Sequence, residues 1–207
     1  MSRWIKALAI GLLLTLMVEL CVFSQDCSSI RSSVVRVHIL ANSDSEEDQA
    51  LKLLVRDAVV EAGAGLLDGV SDPQTARQRL QKALPTLCEV AQQCVYEQGY
   101  AYTVNGEVTN MYFTTRTYEN GTFPAGLYDA VRFTIGEGQG KNWWCVMYPP
   151  LCVSAACDSD TLDELLTDSQ TDMVQHGSRY RVRFKVVEWI EGIAAKIRIK
   201  TKKDGKI

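Results

Sequence analysis

The side chains with chemical reach in this chain are few. Cysteines stand at 21, 27, 88, 94, 145, 152 and 157, and histidines only at 38 and 176. Cys145 follows a polar stretch with glycines at alternate positions, Gly136, Gly138 and Gly140, and precedes Val146, Met147 and Tyr148. A nucleophilic Cys145 needs a positioned base, and His38 or His176 would have to supply it; neither has a diagnostic neighbourhood. The other reading is structural: a disulfide between Cys145 and Cys152 closing a short loop, as suits a chain outside the reducing cytoplasm. Both stay open on the sequence. No CxxC pair occurs, which argues against a zinc knuckle or a thioredoxin-like site. Cys88 and Cys94 lie six apart on one predicted helix, on different faces, and cannot bridge each other.

Other chemistries fit less well. A phosphate-cradling loop needs a helix N-terminus after its glycines, whereas a strand is predicted after Gly140, and the spacing is not that of a dinucleotide fingerprint. Asn42, Asp44, Glu46 and Asp48 have the composition of calcium ligands, but the turning glycine of a calcium loop is missing. Acidic residues in a first helical turn are also expected from the helix dipole alone. No cofactor and no metal is expected.

The elements that position these residues can be read in order. Val34 to Leu40 is a β-branched strand. A polar break at residues 41–45 offers Ser43 with Glu46, or Asp44 with Glu47, as a capping box. The helix behind it carries Leu51, Leu54, Val55, Ala58, Val59 and Ala62 at helical spacing. Asp72-Pro73 opens a second helix with proline at its first position, and its apolar face runs from Ala76 to Val95. Pro85 is expected to kink or divide it. Tyr100–Asn105 and Val108–Tyr118 then read as strands joined at an Asn105-Gly106 turn. Leu127–Ile135 alternates as a strand, and Trp143–Tyr148 follows the glycine loop until Pro149-Pro150 ends it. Adjacent Trp143 and Trp144 must point to opposite faces, one to the core and one outward.

The predicted fold is α+β: a mainly antiparallel sheet with helices on one face, plus a basic C-terminal extension. Asp158 to Met173 reads as an acidic helix. Ser178 to Ile199 alternates as a strand at first, yet Val182, Val186, Trp189, Ile193 and Ile197 form a helical stripe, which favours helix.

The chain has 207 residues, 46% hydrophobic and 23% charged, enough for one globular domain with extensions. Arg3 and Lys6 precede an apolar run from Ala7 to Val18, the layout of an export signal. It is either cleaved near Gln25 or retained as an anchor. Net charge is −3, although the last thirty residues hold ten Lys/Arg against three acids. An acidic body with a basic tail makes nucleic acid a poor partner for an exported chain. A membrane surface met by residues 178–203, or the chain's own acidic body, fits better. The organisation expected is 1–24 signal segment, 33–155 domain and 156–207 extension.

Two blocks carry a family likeness. One is His38-Ile39-Leu40-Ala41-Asn42-Ser43-Asp44-Ser45-Glu46-Glu47-Asp48-Gln49-Ala50-Leu51-Lys52, continuing through Val55-Arg56-Asp57-Ala58. The other is Phe123-Pro124-Ala125-Gly126-Leu127-Tyr128 with Gly140-Lys141-Asn142-Trp143-Trp144-Cys145 and Tyr148-Pro149-Pro150-Leu151-Cys152. Together they resemble the stage II sporulation protein R family of endospore-forming bacteria, over residues 33 to 155. The resemblance implies a signal rather than an enzyme. It would be exported from the forespore into the space between the septal membranes. There it would trigger a membrane-embedded aspartic protease that processes the sigma-E precursor. The contact candidates are the turn residues Asn42, Asp44, Asp48 and Gln49, and Asn142, Trp143, Trp144, Tyr148 and Pro149 around the tryptophan strand. The competing reading is an exported cysteine-dependent hydrolase acting at the septal cell wall.

Overall fold

The computed structural model describes residues 3–118, 121–149 and 165–204. Contacts divide the chain into two compact units, one of Ser32–Tyr112 with Leu127–Leu165, the other of Met1–Arg31, Phe113–Gly126 and Leu166–Ile207.

The first unit is the α+β body. It contains β1 (Val35–Leu40), α2 (Glu46–Leu67), α3 (Pro73–Glu97), β2 (Val104–Phe113), β5 (Gly126–Ile135) and β6 (Asn142–Tyr148). The strands lie in the order β2-β5-β1-β6. β1 pairs with β5 in parallel and with β6 antiparallel, with a register shift between Val35 and Arg36. Asn110 reaches Asp129 and Arg132 reaches Glu107, so index rises on one strand as it falls on the other, and β2–β5 is antiparallel.

Strand alternation decides where the helices go. Val35, Val37 and Ile39 share one face with Val131, Phe133, Ile135, Cys145 and Met147. That face meets Leu51, Val55 and Val59 of α2 and Leu80, Leu87, Ala91 and Val95 of α3 in a single core. The opposite face carries Arg36, His38, Tyr128, Ala130 and Val146, all buried. Arg36 is fully buried; its Nε donates to the Cys145 carbonyl at 3.4 Å and its guanidinium lies 4.9 Å from the Tyr128 ring centre.

Several local expectations need correcting. Ser45, not Ser43 or Asp44, caps α2, its Oγ accepting from the Asp48 amide at 3.2 Å. Pro85 does not divide α3, which runs unbroken on its buried stripe. Asn105-Gly106 is no turn, because β2 continues through it. A Cβ at Gly106 would collide with Cys88 Sγ, so this glycine lets α3 lie close on the strand. The expected start of α3 at Pro73 holds, and Asp72 caps it, accepting from the Thr75 amide at 2.8 Å.

The second unit is built from α1 (Arg3–Ser32), the pair β3 (Arg116–Tyr118) and β4 (Gly121–Phe123), α4 (Asp168–Gln175), a 3-10 turn at Gly177–Tyr180 and α5 (Arg181–Asp204). Of the acidic helix expected from Asp158 to Met173, residues 158–164 lie outside the described residues; Leu165 is helical, residues 166–167 interrupt the helix, and α4 starts at Asp168. The helical reading of the C-terminal stretch is right, but its stripe faces outward. Val182, Val186, Trp189, Ile193 and Ile197 are all exposed, while Phe184, Val187 and Ala195 are buried.

Candidate functional site

Two loops at one end of the sheet are laced together. The turn after β1 places Ala41 and Asn42 beside the glycine loop between β5 and β6. Glu137 donates its amide to Asn42 Oδ1 at 3.0 Å, and Gln139 and Gly140 donate theirs to the Asn42 and Ala41 carbonyls, each at 3.0 Å. Lys141 donates its amide to Asp44 Oδ1 at 2.7 Å. The glycines are there for clearance: a Cβ at Gly140 would run into the Ser43 carbonyl, and one at Gly136 into Asn42 Oδ1. Gly136 also has φ +57°, a conformation open to glycine at no steric cost.

The carboxylate of Asp48 holds this lacing from below. It accepts from Asn42 Nδ2 at 2.9 Å and from Ser43 Oγ at 2.6 Å. Burial alone would raise its pKa, but hydrogen bonds from Ser43, Asn42 and Tyr102 together outweigh that and hold it below the usual value. Gln49 donates to the Ser43 carbonyl at 2.8 Å. Lys52 spans the loops, its Nζ donating to Gln49 Oε1 at 2.6 Å and to the Lys141 carbonyl at 3.1 Å. Burial lowers the Lys52 pKa, with Asp44 opposing.

Beside the loops, β6 carries the two tryptophans on opposite faces, both half-buried. Trp143 packs against the helix-side core, with the Arg56 guanidinium 5.3 Å from its ring centre. Trp144 stacks on His38 at 3.8 Å between centres and 4° between planes. His38 Nε2 donates to Asn142 Oδ1 at 2.7 Å, since an amide oxygen can only accept. Burial pushes the His38 pKa down to about 4, with Arg132 adding to the drop and Asn142 opposing it. The ring is therefore neutral near pH 7.

The contact candidates thus fall into three groups. Asn42, Asp44, Asp48 and Gln49 come together but spend their side chains on the loop lacing. Asn142, Trp143 and Trp144 form a continuous feature at the start of β6, with Asn142 exposed. Tyr148 and Pro149 lie at the far end of that strand and are buried, the Tyr148 hydroxyl donating to the Val70 carbonyl at 3.4 Å. Cys145 is nearly buried and its sulfur is in a disulfide; Cys152, its expected partner, lies outside the described residues. A sulfur so bonded has no thiolate with which to attack, and the low pKa of His38 makes it a weak base. Sequence reading missed Lys52, Tyr102 and Arg36. Of these only Arg36, a lone charge among β-branched residues, left a visible signal.

The family model for stage II sporulation protein R matches residues 31–158, a range that takes in the laced loops and the whole of β6. The chain belongs to the stage II sporulation protein R family. It is similar to the stage II sporulation protein R of Bacillus subtilis (strain 168), with 30% identity over 185 residues, covering 79% of this chain and 83% of that protein. No solved structure gives a significant match. For this member of the family, the laced loops and the tryptophan strand lie inside the matched region, whereas α1 up to Ile30 and all of α4 and α5 lie outside it.

Proposed function

We propose that this chain is the exported forespore signal that enters the space between the septal membranes and activates the membrane-embedded aspartic protease processing the sigma-E precursor. The observation that carries the reading is the start of β6, at one end of the strand order. Exposed Asn142 and half-exposed Trp143 and Trp144 are held there in fixed orientations by His38 and Arg56. Aromatic anchors ordered in advance lose little freedom on docking, which makes them effective contact hot spots. The laced loops are tied to this feature through Lys141, whose amide donates to Asp44 and whose carbonyl accepts from Lys52. Family membership supports a sporulation role, and the long apolar N-terminal helix supports export. On this reading the protein activates a protease and performs no hydrolysis itself. The hydrolase reading loses its nucleophile to the Cys145 disulfide.

The test is processing of the sigma-E precursor in cells that also make the protease, with Asn142→Ala and Trp144→Ala compared with wild type. Processing should fall about tenfold or more in each, the scale of a hot-spot loss, while exported protein stays at wild-type level. Asn142 is exposed, so its variant remains informative should Trp144→Ala lower protein levels. Undiminished processing by well-exported Asn142→Ala and Trp144→Ala would overturn the assignment of this surface.

A further inference from the structure

The first helix does not stop where an export signal is expected to be cut. α1 runs without a break from Arg3 to Ser32, about 45 Å at 1.5 Å per residue. Its upstream part is apolar on every side: Leu12, Leu13, Leu14, Leu16, Met17 and Val18 are all exposed. Consecutive residues of a helix point in all directions, so no face among the described residues covers this stretch. A helix apolar all round belongs in a surrounding apolar medium.

The downstream part belongs to the folded unit. Phe23, Cys27 and Ile30 are buried at the spacing of one helix face. Phe23 sits 5.9 Å from the Tyr180 ring centre and 5.4 Å from that of Phe184. Arg183 reaches over Phe23 and pairs with Glu19 at 3.1 Å. Asp26 accepts from Gln170 at 3.4 Å, and Arg31 pairs with Glu191 at 3.0 Å. These contacts stand on both sides of Gln25. A cut there would remove Glu19 and Phe23 and uncover Tyr180 and Phe184. Residues 22–26 are internal helix, with Phe23 packed on α5 and Asp26 bonded to α4, while Val22 and Gln25 are exposed.

We propose that α1 is retained and spans a lipid bilayer, its exposed apolar surface covered by acyl chains. The uncharged run Ala7–Val18 covers about 18 Å, and the stretch Trp4 to Val22 about 28 Å against the roughly 30 Å hydrocarbon core of a bilayer. Lys6 and Glu19 each lie within one turn of an end, from which a charged side chain can reach the interface. The ends fit the same placement. Arg3 and Lys6 lie on the side from which the chain is exported, where basic residues accumulate, and Trp4 sits at that interface. Glu19, within one turn of Val22 and paired with Arg183, reaches the opposite interface, and the segments that pack on the downstream part of α1 stand beyond it. The signal then stays on the membrane that exported it. This inference rests on the packing of α1 alone and does not depend on which protein the signal activates.

The test is made on the full chain with a C-terminal tag in sporulating cells. Three readouts are taken: the N-terminal peptide by mass spectrometry, the fraction in the membrane pellet after alkaline wash, and digestion of the tag by protease added outside the exporting membrane. The expected result is an intact N-terminus on wash-resistant, externally digestible protein. A mature N-terminus near Gln25 would overturn retention. Intact protein released by the wash would overturn the span, and a tag protected from protease would overturn its direction.

Discussion

At the scale of the residue, His38 is the group whose titration matters most. Its pKa is about 4 in the folded protein against an ordinary 6.5. Between those values the unfolded chain binds a proton that the folded ring resists, so stability rises with pH across the interval. The contribution is present in full above about pH 6.5 and is lost as pH falls towards 4, up to about 3 kcal/mol by the usual conversion. Urea unfolding of wild type should therefore weaken steadily from pH 7 to pH 4.5, while His38→Phe, which keeps a ring against Trp144, should show a flatter profile. Equal slopes in the two proteins would show that His38 does not titrate as described. Little of this was legible in the sequence. A histidine in a β-branched strand reads equally as a core residue or a base, and only the cross-strand register of His38 with Trp144 distinguishes them. Asp48 misled in a similar way. An acidic residue early in a helix looks like dipole compensation on the surface, yet this one is buried under Asn42 and Ser43.

At the scale of the element, the informative case is α5, where both faces carry apolar residues. Periodicity picks out Val182, Val186, Trp189, Ile193 and Ile197 because that series is the longer. The core instead takes the shorter series of Phe184, Val187 and Ala195, on the side where Phe23 and Tyr180 can stack. Phe184→Ala should therefore cost about 3 kcal/mol or more, as for a large aromatic removed from a core. Trp189→Ser should change stability by no more than about 0.5 kcal/mol. Thermal unfolding of the two variants checks this, and the reverse order of effects would mean that the packed face of α5 has been misassigned. The helices of the α+β body were legible for the opposite reason. α2 and α3 each bury a single stripe, although Leu54, expected on that of α2, is exposed. Asn105-Gly106 failed because a glycine admitting a neighbouring helix and a glycine making a turn are the same letter.

At the scale of the whole molecule, the α+β class and the helix-covered sheet face followed from strand and helix periods that agree along the chain. The division into two units did not. One unit collects Met1–Arg31, Phe113–Gly126 and Leu166–Ile207, segments far apart in sequence whose association depends on long-range packing that no local pattern encodes. Both units fit an exported signal, one through an apolar helix that continues into the fold, the other through a rigid aromatic feature on β6. The most direct measurement is sigma-E precursor processing in cells producing the protease, with and without this chain, and with a Cys145→Ser/Cys152→Ser form. Processing that needs the chain and survives at least in part in the cysteine double variant is the result expected of a non-catalytic activator. No processing with well-exported wild-type protein would contradict it.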